Sequence, residues 1–164
     1  MNWPRLIKEG SLRELRQAFK EGSPRLVKDA AGYPLLHNAC MRQDGGFRAA
    51  KYLLAAGADP NEKDSARFQQ TALHLAAEQG DLELAELLLE NGAQPDEPDA
   101  WGNGPVWKAL HTGGLKVQDA RRPRYVRMVK LLVAAGADLD RENANGKAAR
   151  SHFRHEIWAE LREL

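Results

Sequence analysis

The chain has 164 residues, 43% of them hydrophobic, and a formal net charge of +1. That length and apolar content suffice for one domain with a continuous core, and the near-neutral charge excludes a global field that would demand nucleic acid or a membrane surface. A single cysteine, Cys40, excludes an internal disulfide framework and fits a reducing compartment.

The N-terminal stretch lacks an apolar run of signal-peptide length, and no segment approaches bilayer-spanning length, so a cytoplasmic location is expected.

Residues 1–28 read as a terminal unit. Pro4 suits the first turn of a short helix, Gly10-Ser11 separates it from a second helix over Leu12–Glu21, and Gly22 follows. Glu14 and Gln17 occupy positions that are leucine in a later unit, which wets one side of that helix as a cap requires. In residues 29–63, Asp29-Ala30-Ala31-Gly32-Tyr33 supplies a turn before a helix carrying Leu35, Leu36, His37, Ala39 and Cys40. Pro34 stands where the next unit has a capping threonine, a loss of about 1 kcal/mol.

Residues 64–98 hold the most regular unit. Thr71 opens a helix bearing Leu73, Leu75, Ala76 and Ala77. Gly80-Asp81 stops it and starts a second helix with Leu84, Ala85, Leu87, Leu88 and Leu89, which Asn91-Gly92 closes. Its entry turn, Asp64 to Gln70, is two residues longer than its counterparts and has no glycine.

In residues 99–142, Gly104 replaces the capping threonine and Trp107 the histidine. An insertion of 11 residues then falls near 113–124, since Trp107 to Gly136 takes 29 steps against 18 from His74 to Gly92. Its cations Lys116, Arg121, Arg122 and Arg124 are opposed there only by Asp119. Read blandly it is a solvated loop; read functionally it contacts an acidic protein or phosphates. Residues 143–164 keep Gly146 and form a second cap, with a closing helix over Glu156–Leu164.

Gly22, Gly57, Gly92 and Gly136 are spaced by 35, 35 and 44 residues, which points to stacked supersecondary units. The apolar columns agree: Leu82, Leu84, Ala85, Leu87, Leu88 and Leu89 align with Phe47, Ala49, Ala50, Tyr52, Leu53 and Leu54, and with Val126, Met128, Val129, Leu131, Leu132 and Val133. With the Thr71-Ala72-Leu73-His74 start and the Gly57-Ala58-Asp59 and Gly136-Ala137-Asp138 turns, nearly the whole chain resembles the ankyrin repeat.

That resemblance implies an all-α solenoid of helix pairs with short β-turn fingers, about five repeats including degenerate caps. It makes His37 and His74 structural hydrogen-bonders rather than acid-base or metal residues. It also implies a concave face whose variable positions contact a folded protein partner. Here these fall at Tyr33, Met41 and Arg42, at Arg67, Phe68, Gln69 and Glu78, and at Trp101, Asn103 and His111, with Phe68 read equally as packing folded back over the neighbouring finger. The mixture of aromatics, arginine and amides suits an interface.

No phosphate-cradling loop, Cys-x-x-Cys, His-Glu-x-x-His or nucleophile elbow occurs, so no catalytic residue, metal site or cofactor is expected. The short, freestanding chain resembles bacterial ankyrin proteins that inhibit a cognate toxin as immunity proteins or regulate an enzyme. It is expected to be monomeric when free, with no membrane partner. The competing class is nucleic-acid association through the basic stretch 116–130, a less favoured partner; self-association is a third.

Overall fold

The computed structural model describes residues 2–22, 28–42, 46–65, 68–115, 122–154 and 161. Among the described residues eight α-helices pair in chain order: α1 (Trp3–Glu9) with α2 (Leu12–Glu21), α3 (Leu35–Cys40) with α4 (Gly46–Ala55), α5 (Ala72–Gln79) with α6 (Leu82–Glu90), and α7 (Pro105–Leu115) with α8 (Arg122–Ala134). A 3-10 helix, Ala149–Arg154, follows. Leu161 is fully buried, while the remainder of the expected closing helix lies outside the described residues.

These helices are short, and few would hold together alone in water. Stacking supplies the missing stability. Helices α1, α3, α5 and α7 pack successively into one layer, and α2, α4, α6 and α8 into a second. One core runs through both layers and includes Ile7, Leu15, Leu53, Leu73, Leu84, Leu88, Leu110 and Leu132. Each such side chain contributes about 1.5–3 kcal/mol by burial, and truncating Leu88 to alanine should cost about 2–5 kcal/mol.

Local signals place the helix ends. Ser11 and Glu14 form a capping box: Ser11 N donates to Glu14 Oε2 at 2.7 Å and Glu14 N donates to Ser11 Oγ at 3.2 Å. Glu14 therefore does more than wet the cap, because it closes the start of α2. Asp81 caps α6 by accepting from Leu84 N at 3.1 Å. Gly57, Gly92 and Gly136 adopt φ of 85°, 89° and 104°, the left-handed region in which glycine carries no Cβ penalty. Gly22 departs from this period: its φ of −171° is extended backbone that any residue adopts.

The insertion departs further from a simple loop. Gly113, Gly114 and Leu115 belong to α7, and Arg122, Pro123 and Arg124 to α8. Part of the extra length is thus absorbed by helix, giving α7 11 residues and α8 13, against 8 and 9 in α5 and α6. The start of α8 is anchored on the end of α5. Tyr125 is fully buried and its hydroxyl donates to Glu78 O at 3.1 Å. The alkyl stem of Arg124 crosses Gly80, where an added Cβ would lie 2.8 Å from Arg124 Cδ.

Successive units are laced through their turns. Asn61 donates to Gly92 O at 2.9 Å and accepts from Gln94 N at 2.7 Å. One unit later, Asp96 accepts from Asp138 N at 2.9 Å. Every such bond satisfies backbone groups that a helix pair leaves open.

Candidate functional site

Each helix pair after the first, and the closing 3-10 helix, is preceded by a turn that forms a finger, and an acidic or amide side chain shapes it. Asp29 Oδ1 accepts from the backbone N–H of Ala31 and Tyr33, Asp99 Oδ1 from Trp101 and Asn103, and Asn143 Oδ1 from Asn145 and Lys147. In the long finger Asp64 Oδ2 accepts from Gln70 N at 2.8 Å. Gln69 takes φ of 49° there, so a side chain occupies the left-handed conformation that glycine adopts in the neighbouring turns.

Adjacent fingers are bonded edge to edge. Ser65 N donates to Gly32 O at 3.0 Å, Ala100 N to Phe68 O at 2.9 Å and Ala144 N to Trp101 O at 2.9 Å. Cations run alongside: Lys28 pairs with Glu62 at 3.2 Å and Lys63 with Glu97 at 2.7 Å. These pairs are partly exposed and contribute little each. The fingers therefore form a preorganised row.

Buried histidines tie this row to the first helices. His74 sits fully buried, with Nδ1 accepting from Thr71 N at 3.1 Å and lying 2.9 Å from Thr71 Oγ1. Since Nδ1 accepts, the proton is on Nε2, which donates to Asn103 O in the next finger at 3.0 Å. Burial pushes its pKa down to about 4, against the opposing pull of the Asn103 carbonyl. His37 repeats the link, donating from Nε2 to Gln70 O at 2.6 Å, and burial lowers its pKa as well. Both rings are neutral structural bridges, as the resemblance implied.

On this frame Phe68 and Trp101 come together. Their ring centroids are 5.3 Å apart with planes tilted by 33°, within the distance range of favourable aromatic contacts. Phe68 nevertheless remains 37% exposed and Trp101 38%. Lys108 places Nζ 5.5 Å from the Trp101 ring centroid and pairs with the buried carboxylate of Asp99 at 3.1 Å. Phe68 thus leans on the neighbouring finger and still presents a face outward.

The remaining sequence candidates separate into groups. Met41 is exposed at the end of α3, Glu78 at the end of α5 and His111 on α7, so equivalent positions of successive first helices present accessible side chains. Tyr33 is half-buried, its ring 6.4 Å from His37. Arg42 is occupied internally: its guanidinium donates to Ile7 O at 2.9 Å and Gly10 O at 2.6 Å, tying the first unit to the second. Asn103 is likewise engaged, its Oδ1 accepting from Asn143 Nδ2 at 2.8 Å.

Arg67, Lys116 and Arg121 lie outside the described residues, as does the side chain of Arg122. Arg124 is exposed. Trp107 packs edge-on against His152 at 4.7 Å, with His111 6.5 Å beyond it. Among the described residues no group of three His, Cys, Asp or Glu side chains converges for a metal ion, and no helix is long and apolar enough to cross a membrane.

Sequence reasoning missed one residue of this surface, Lys108, and the exposure of Phe47 on the second helix layer. Lys108 was hidden because its partners Asp99 and Trp101 belong to the preceding turn, although an acid and a cation nine residues apart across a helix start was an available signal. Phe47, 38% exposed, was read as a core position from its column.

A family model described as ankyrin repeats (3 copies) matches residues 7–99 and 36–143. Comparison with curated proteins gives no match.

Proposed function

The chain belongs to the ankyrin-repeat family, whose repeats generally mediate protein–protein interaction, and from that premise we propose that it binds one folded protein partner through its finger row and the exposed ends of its first helices. Ankyrin repeat domains are generally non-catalytic, and the reading is of a binding module, not an enzyme.

The observation that carries it is the Phe68–Trp101 pair. Two large rings are held 5.3 Å apart on adjacent fingers that are bonded through Ala100 N and Phe68 O, yet each keeps more than a third of its surface open. Rigid aromatic anchors of this kind lose little conformational entropy on binding, and tryptophan is among the residues that dominate interface energetics. Lys108, held by Asp99 at 3.1 Å, braces the Trp101 ring and fixes its orientation.

A rigid row that covers a partner's surface is suited to inhibition. We place the chain in the cytoplasm as a monomer that masks a toxin or an enzyme, in the manner of an immunity protein or a regulator. Affinity capture from the source cell, with wild-type chain and with Phe68→Ala/Trp101→Ala as parallel baits, tests the reading. A protein retained by the wild type and lost from the double variant supports it; identical captures place the contact elsewhere. Association with nucleic acid through 116–130 has weaker support: Lys116, Arg121 and the side chain of Arg122 lie outside the described residues, and Arg124, Arg127 and Lys130 are the exposed cations described there.

A further inference from the structure

A cavity of about 740 Å³ is lined by no finger residue. It is a groove between α2 and α4 in the second helix layer. Arg13 and Arg16 of α2 form one wall and Arg48 and Lys51 of α4 the other, with Phe47 and Tyr52 supplying apolar surface between them. All four cations are exposed, and among the described residues none has an ion-pair or hydrogen-bond partner. Among the described residues no acid lines the groove.

The cations are in register. Arg13 and Arg16 precede Arg48 and Lys51 by one repeat of 35 residues, so equivalent positions of adjacent helices face the same cleft. One repeat further on, the same positions are Glu83 and Glu86, both exposed on α6. The sign reverses at the border of the groove. A long polyanion crossing the second layer meets like charge at α6, whereas a short acidic segment seated in the groove faces Arg13, Arg16, Arg48 and Lys51. The apolar surface of Phe47, itself 38% exposed, asks the occupant for apolar side chains too.

We propose that this groove is a second docking site, taken by a short amphipathic acidic segment of a protein partner, with glutamate or aspartate toward the arginines and an apolar stripe over Phe47 and Tyr52. Helix-in-groove recognition supplies the geometry, and the four exposed cations supply the complementarity. With the fingers holding one protein and this groove another, the chain acts as an adaptor.

The test is fluorescence anisotropy with the full chain and two probes: a labelled amphipathic helix of glutamate and leucine, and an oligothymidylate of equal charge. Wild type should bind the peptide saturably. Arg48→Glu/Lys51→Glu, and independently Arg13→Glu/Arg16→Glu on the other wall, should each weaken it about tenfold, as expected for two exposed pairs lost, while Phe68→Ala/Trp101→Ala leaves it unchanged. Circular dichroism melts verify that the variants fold, and two walls from different helices guard against one failing. Equal peptide affinity in both groove variants overturns the proposal. Tighter binding of the oligothymidylate overturns it in favour of nucleic acid. Concentration-dependent sedimentation of the wild type that both groove variants abolish overturns it in favour of a second copy.

Discussion

Pro34 leaves the buried Nδ1 of His37 without a partner, whereas Thr71 gives the equivalent nitrogen of His74 both an N–H and a hydroxyl. Proline carries neither group, and its position at the start of α3 matches that of Thr71 at the start of α5. A buried acceptor with no donor costs about 1–3 kcal/mol.

Pro34→Thr should therefore stabilise the chain by about 1 kcal/mol, the new bonds outweighing the proline's restriction of the unfolded state. The φ of −56° and ψ of 150° at Pro34 are open to threonine. Urea midpoints would show the gain. In a His37→Leu background it should vanish, since the acceptor is gone.

Acid should act through the same histidines. The His74 pKa falls from 6.5 to about 4 on folding, so below pH 6.5 the unfolded chain binds the proton that the folded chain refuses. Stability present above pH 6.5 is then lost as the pH falls toward 4, by up to about 3 kcal/mol from this residue. His37 acts in the same direction. Denaturant titrations at successive pH values should show the decline, with a shallower slope over that window for His74→Gln.

Cys40 is buried in α3, and desolvation pushes its thiol up to about 12. Modification by a disulfide reagent at neutral pH should require opening of the stack. The rate should be slower than in denaturant by roughly 10³-fold or more, the factor set by an opening free energy of about 4 kcal/mol. Pro34→Thr should slow it further.

Arg42→Ala separates stability from binding. Losing charge-assisted bonds to the Ile7 and Gly10 carbonyls should cost about 1–2 kcal/mol, loosening the first unit. Affinity for a finger-bound partner should hold within twofold. A large loss of affinity with unchanged stability would return Arg42 to the contact surface.

Much of the fold was legible because repetition amplifies weak local signals. Gly57, Gly92 and Gly136 mark equivalent left-handed turns, and the columns containing Leu53, Leu88 and Leu132 mark equivalent buried faces. Gly22 matched the spacing without the conformation, because spacing reports position and not φ. The insertion was read as a loop because cations and Gly113-Gly114 dominate it, yet packing of Tyr125 against the α5 terminus draws Arg122 to Arg124 into helix.

The candidate surface was less legible. Phe68 and Trp101 stood out as large aromatics in turns, but their contact spans 33 residues. Arg42 and Asn103 looked variable and exposed, and only the folded stack brings them to Gly10 and Asn143. The α2–α4 groove was invisible for a related reason. Its two pairs of cations lie a repeat apart, each unremarkable within its own helix.

Hydrogen exchange of the chain with its captured partner tests the central claim most directly. Protection is predicted at the finger amides bonded across the row, Ala100 and Ala144 among them, and at the ends of α3 and α5, with α6 unchanged. Protection confined to the second helix layer, with the amides around Phe68 and Trp101 exchanging as in the free chain, would contradict it.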